Sequence, residues 1–199
     1  MLEFWEDRYR EEGYAYGEKP NVFFKRFIDN HKPGKILLPA EGEGRNAVYA
    51  ALNGWQVDAY DFSEKAIENC REFARQHGVS INYIHGSHDD LSPYKKDYDA
   101  IALIYAHVSN DSRRQFHQQL LSLLKEGGAF LMEAFTPEQI ERSSGGPKHI
   151  NMLYKTEDVL GDFKEDCDFE IFEELDEELD EGKYHVGKAK FIRMLAHKK

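Results

Sequence analysis

Apolar runs alternate with helix-spaced patterns along this chain, which predicts a parallel sheet with helices on both faces. Val22, Phe23, Phe24, Phe27 and Ile28 recur at helical spacing over 22–31 and stop before Pro33-Gly34. Lys35-Ile36-Leu37-Leu38 reads as a short buried strand, followed by the turn Ala40-Glu41-Gly42-Glu43-Gly44. Arg45 to Asn53 is helical, with Ala47, Val48, Ala51 and Leu52 as its inner stripe and Gly54 as its stop. A second strand, 55–60, ends at Asp61; Ser63 caps a helix running to Gly78; and Ile81–Ile84 is a third strand. Tyr98–Ala106 is a fourth, apolar enough to be buried on both faces. A helix over 112–125, a strand over 129–134, a short helix after Pro137 and a helix near 156–163 follow. Two alternating stretches, about 168–179 and 187–197, flank Glu181-Gly182-Lys183 and predict an antiparallel hairpin. The fold class is therefore α/β, a doubly wound, mostly parallel sheet closed by that hairpin. One domain is expected over 1–199, with 1–30 as an N-terminal lid segment and 31–199 as a Rossmann-like core.

Composition narrows the partners. The 199 residues carry 26 basic and 37 acidic side chains, a net charge of −11. That field repels phosphate backbones and anionic lipid surfaces, so neither nucleic acid nor a membrane is an expected partner. No apolar stretch approaches the roughly 20 residues of a membrane helix, and the acidic start lacks a signal-peptide pattern. A cytoplasmic protein is expected, monomer or homodimer. Cys70 and Cys167 form no metal pair. Fourteen acids between Glu157 and Glu181 are interleaved with Phe169, Ile171, Phe172, Leu175 and Leu179, and read as a solvated face. His85, His88, Asp89 and Asp90 lack a supporting cluster elsewhere, so no metal is expected.

The chemistry gathers after the first strand. Glycines at 42 and 44 let backbone approach a ligand, the helix behind them offers free N–H groups, and Asp61 can accept both hydroxyls of a ribose. This is a site for an adenosine-containing cofactor. Spacing alone also satisfies the dinucleotide pattern, through Gly42, Gly44 and Ala47. Charge separates the two. A pyrophosphate beside Glu41 and Glu43 would cost about 1–4 kcal/mol per carboxylate, whereas S-adenosylmethionine carries a sulfonium and an ammonium. The rival classes are an NAD(P)-dependent oxidoreductase and a non-catalytic S-adenosylmethionine-binding module. Trp5, Tyr9, Tyr14 and Tyr16 offer an aromatic lid or ordinary core packing. His107, after the fourth strand, is either a general base or a histidine bonded to backbone. His185 and Lys148 are candidates for holding substrate.

The segments Phe4-Trp5-Glu6-Asp7-Arg8-Tyr9, Tyr16-Gly17-Glu18-Lys19-Pro20-Asn21, Gly42-Glu43-Gly44-Arg45-Asn46-Ala47, Asp61-Phe62-Ser63, Leu124-Lys125-Glu126-Gly127-Gly128, Gly145-Gly146-Pro147-Lys148 and Glu181-Gly182-Lys183-Tyr184-His185 resemble the class I S-adenosylmethionine-dependent methyltransferases of the tellurite-resistance and thiopurine type. The resemblance implies a seven-stranded sheet and methyl transfer to a small molecule, a thiol or chalcogen oxyanion among the candidates. By position it implies that Gly42 and Gly44 line the methionine–ribose side, that Asp61 holds the ribose, that Ser87 and His88 lie near the adenine, and that Tyr105, Ala106 and His107 floor the methyl group. Glu41, Arg45, Asn46 and Phe62 are further candidates for holding the cofactor, and Tyr16, Lys148 and His185 candidates for facing substrate. Four positions depart from the pattern: Leu38 and Ser87 stand where acids are usual, Ala40 where the first loop glycine is, and Glu41 in a place often taken by Cys.

Overall fold

The computed structural model describes residues 2–199; Met1, the first residue of the expected lid segment, lies outside the described residues. The strands are β1 Lys35–Pro39, β2 Gln56–Asp61, β3 Asn82–His85, β4 Tyr98–Ile104, β5 Leu124–Phe135, β6 Cys167–Glu181 and β7 His185–Lys198. The helices are α1 Leu2–Tyr9, α2 Val22–Asn30, α3 Arg45–Leu52, α4 Glu64–Gln76, α5 Asn110–Leu123 and α6 Thr156–Phe163.

All seven strands form one sheet in the order β3-β2-β1-β4-β5-β7-β6. β1 to β5 pair in parallel, and β7 runs antiparallel between β5 and β6. The period of two in the central strands divides their side chains between two cores. Ile36, Leu38, Ala100, Ala102 and Leu131 face α2, α3 and α4, together with Phe24, Phe27 and Ile67. Leu37, Ile101, Leu103, Phe130 and Met132 face α5 and α6, with Phe116, Leu120 and Phe163. Each such side chain contributes about 1.5–3 kcal/mol on full burial. The chain leaves β1 toward β2 on one side and meets β4 on the other, so the sheet's switch point lies between β1 and β4.

The predicted doubly wound sheet and its C-terminal hairpin are present, and the differences lie at element ends. β4 stops at Ile104, not Ala106, because Tyr105 turns into the left-handed region at φ +53°. α5 starts at Asn110 because Ser109 caps it, accepting from the Asp111 N–H. It stops at Leu123 because Leu124 pairs with Tyr98 and opens β5 early. α1 escaped the apolar pattern, since Tyr9 is its one buried residue. Two members of the acidic stretch are not solvated: Asp162 is buried and Glu181 is half-buried. Asp162 accepts from Arg113 at 2.7 Å and lies 2.9 Å from His117, and Glu181 accepts from Arg45 at 2.8 Å. The others follow the solvated reading mainly along β6, where charge also blunts an exposed sheet edge.

Candidate active site

A cavity of about 780 Å³ opens beyond the C-terminal ends of β1, β2 and β4, roofed by α1 and the β6–β7 turn. Its volume suits a ligand the size of a small drug. Among the described residues, the only non-glycine residues with positive φ are Ala40 (+49°) and Tyr105 (+53°), which follow β1 and β4 on either side of the switch point. A left-handed conformation costs an L-residue about 1–2 kcal/mol. Ala40 thus keeps the backbone shape a glycine would adopt freely, at the cost of strain.

One end of the cavity is acidic. Asp61 is buried, and its carboxylate accepts from the N–H groups of Gly42 (3.0 Å) and Ser63 (2.9 Å). Burial raises its pKa while those bonds hold it down. Each oxygen keeps a second lone pair for a ligand hydroxyl. Glu41 turns back onto α3, accepting from the N–H groups of Asn46 (2.9 Å) and Ala47 (2.7 Å), with the Asn46 amide at 3.4 Å. Burial pushes its pKa up to about 7. The N–H groups expected to be free at the start of α3 are therefore occupied by the chain's own carboxylate. A phosphate has no seat there, which removes the support that spacing gave to a dinucleotide. Glu43 points toward the N-terminal segment, accepting from Ala15 N–H (2.7 Å) and the Asn69 amide (2.8 Å).

The other end is aromatic. The His185 ring lies 4.5 Å from Tyr16 and 4.9 Å from Tyr105, and Tyr105 stacks on Phe135 at 4.6 Å. Arg8 closes the top, its guanidinium 3.8 Å from the Tyr184 ring and donating to the Tyr16 hydroxyl at 3.0 Å. His185 Nδ1 is 3.6 Å from Glu181 and has no hydrogen-bond partner. Burial lowers its pKa against the pull of Glu181. Lys148 stands at the rim and donates to the Arg142 carbonyl at 3.0 Å.

Of the site residues named from sequence, all but Gly44 line this one cavity. Gly44 belongs to packing instead: a Cβ there would overlap Cys70 Sγ, and φ is +88°. At Gly42 the close approach is made by α1, for a Cβ would sit 2.9 Å from the Tyr9 hydroxyl. His107 takes the backbone-bonded alternative, not the general base. Its Nδ1 pairs with the Met152 carbonyl at 2.6 Å, and its Nε2 accepts from Phe135 N–H at 3.1 Å. Burial drives its pKa down to about 4, so it stays neutral and has no nitrogen to offer. Arg45 and Asn46 touch the cavity with their polar groups already committed. Arg45 binds Glu181 and the Tyr16 carbonyl, while Asn46 accepts from Asn21 N–H at 2.9 Å. Phe62 lends its carbonyl to His85 Nε2, the Ser87 hydroxyl accepts from Asp89 N–H, and His88 stands edge-on to Phe116.

Sequence reasoning missed the layer beneath the floor. Glu133 is 1% exposed in the middle of β5; it accepts from Arg193 (2.7 Å) and from the Asn21 amide (2.7 Å), which also reaches Glu181. A lone acid inside an apolar strand was the available signal. Tyr60 was missed too, although it precedes Asp61 and lines the cavity.

The residues fit S-adenosylmethionine. Among the described residues five buried side-chain polar atoms have no partner, and three of them belong to cavity residues: the hydroxyls of Tyr60 and Tyr105, and His185 Nδ1. Buried groups in that state call for a ligand, and the acidic end complements a cation that carries no phosphate.

Comparison with known proteins agrees. A family model described as a methyltransferase domain matches residues 36–128. An uncharacterized methyltransferase, YbaJ of Bacillus subtilis (strain 168), is 29% identical over 104 residues, 52% of this chain. The match spans 41% of the length of that curated relative. A structure from work on converting a disulfide bond into a thioacetal group during echinomycin biosynthesis superposes with TM-score 0.80 at 15% identity, over 100% of this chain and 92% of that one. TehB from Haemophilus influenzae gives TM-score 0.73 at 19% identity, over 100% and 67%. Residues 36–128 thus match a methyltransferase domain, and the chain as a whole shares its fold with TehB and with the structure from echinomycin biosynthesis.

Proposed function

We propose that the chain transfers a methyl group from S-adenosylmethionine to a small, soft nucleophile, a thiol or a chalcogen oxyanion. The observation that carries this reading is the polarity of the cavity: carboxylates at the end beside β1 and β2, and a closed aromatic box at the end beside β4 and the hairpin. When bound, the donor supplies a methyl group already activated by its sulfonium. The protein then has to hold the acceptor about 3 Å from that carbon in a dry site, which lowers the barrier by several kcal/mol. Asp61 would hold the ribose, and Ser87, His88 and Phe62 would border the adenine. Tyr16, Tyr105 and His185 would surround the acceptor under Trp5 and Tyr9. His185 Nδ1 faces Glu181, which leaves Nε2 free of protein partners to take a thiol's proton. Arg8, Lys148 and Lys183 at the rim favour an anionic acceptor.

The soft-acceptor reading draws support from two relatives, one whose printed subject is a disulfide becoming a thioacetal and one named TehB. The test is to incubate the protein with S-adenosylmethionine and a panel of thiols, selenite and tellurite, and to follow S-adenosylhomocysteine. Release above the acceptor-free rate, lost in His185→Ala, is the expected result. Donor binding without release from any member would instead match a binding module.

A further inference from the structure

We propose that Glu41 is the anion that pairs with the ammonium of the donor's methionine end, an inference that rests on the S-adenosylmethionine reading above. Glu41 lines the cavity, and its carboxylate is held by three N–H groups, from the backbones of Asn46 and Ala47 and from the Asn46 amide. Among the described residues no Lys, Arg or His lies within 4.0 Å of it. The nearest cation, Arg45, is committed to Glu181 and the Tyr16 carbonyl. Every other carboxylate at this end already has work. Glu43 ties down Ala15 and Asn69, and Asp61 holds Gly42 and Ser63. Leu38, at the end of β1, is wholly buried against the α2–α4 core, so the strand itself offers no acid. A carboxylate fixed at a cavity wall without a counter-ion is costly unless a ligand brings the cation. An ammonium, with three donors, suits the lone pairs that remain on Oε2.

Titratable groups packed around Glu41 are Arg45 on α3, Cys70 on α4 and Tyr83 on β3. Burial keeps Cys70 and Tyr83 neutral at neutral pH. Binding that needs an ionised Glu41 therefore strengthens as pH rises.

The experiment is calorimetry of wild type and Glu41→Gln with S-adenosylhomocysteine and with methylthioadenosine, which shares the nucleoside but lacks the ammonium. Glutamine keeps an oxygen for the two backbone N–H groups of α3 and removes the charge, its NH2 taking the place of Oε2 beside the Asn46 amide. The expected result is a loss of about 10- to 100-fold in affinity for S-adenosylhomocysteine, the range for a hydrogen bond to a charged group, with methylthioadenosine unchanged. Equal losses for both ligands reduce Glu41 to a helix cap and overturn the proposal. So does tighter S-adenosylhomocysteine binding, which would put the ligand's own carboxylate beside Glu41. Wild type that binds neither ligand overturns the donor assignment itself, a distinct failure. Should Glu41→Gln not fold, the wild-type affinity ratio between the two ligands, followed from about pH 5.5 to about pH 8, must rise; a flat ratio refutes the pairing.

Discussion

At the β1–α3 turn, carboxylates of Glu41, Glu43 and Asp61 bond backbone N–H groups inside the protein, whereas α1 and the hairpin tip meet through rings and exposed pairs. Arg8 over Tyr184, Glu11 with Tyr184, and Lys183 with the Glu12 carbonyl all sit at the rim. The first arrangement fixes atoms to a few tenths of an ångström, because each buried acceptor left unpaired costs about 1–3 kcal/mol. The second can separate cheaply, since exposed pairs are worth under about 1 kcal/mol. The proposed methyl transfer would draw on both, a firm seat for the donor and a roof able to part.

The sharpest test sets two glycines of positive φ against each other. Gly44→Ala should cost about 3 kcal/mol or more in urea unfolding, because strain adds to the overlap with Cys70. Gly13→Ala, in the N-terminal segment and with open space around it, should cost only about 1–2 kcal/mol. Equal costs would show the two regions to be packed alike. Next, His107→Gln should lose about 1–3 kcal/mol of stability by leaving backbone groups unpaired, yet leave the pH dependence of methyl transfer in place. A lost pH limb would restore His107 as a base.

Glu41 gives a pH signature at the rigid end. Its folded pKa, about 7, exceeds that of the unfolded chain, so the folded state holds more protons between about pH 4.5 and about pH 7. Its contribution to ligand-free stability is therefore present at low pH and falls as pH rises through that window. Urea midpoints at the two ends should differ less in Glu41→Gln than in wild type. The smallest effect is expected at the rim, where Tyr184→Phe removes the bond to Glu11 and keeps the ring under Arg8. Stability should shift by under about 0.5 kcal/mol, and a larger shift would mean that the roof is bolted down.

Much of the site was legible because strand ends are. Each apolar run announces where its chain leaves the sheet, and in a doubly wound sheet the residues just beyond those points share one crevice. Thus Glu41, Asp61, Ser87 and Tyr105, from the ends of four different strands, could be grouped before any coordinates. Gly44 misled because a glycine looks the same in sequence whether ligand or Cys70 fills the space of its missing side chain. The Glu133–Arg193 and Glu181–Arg45 pairs were hidden for another reason: their partners lie 60 and 136 residues apart along the chain.

By itself the sequence determined the order of strands and helices, the two-sided core, the acidic character of the donor loop and the place where the chemistry gathers. Periodicity and local charge are properties of neighbours in the chain. Only the tertiary structure decided which atom each polar group spends its hydrogen bonds on. That choice turned His107 from a base into a brace, turned Glu41 onto α3, and left Tyr60, Tyr105 and His185 with unspent polar atoms in the cavity. A hydrogen bond needs a well-directed partner at about 3 Å, so a side chain's chemistry is set by which groups the fold places within that reach.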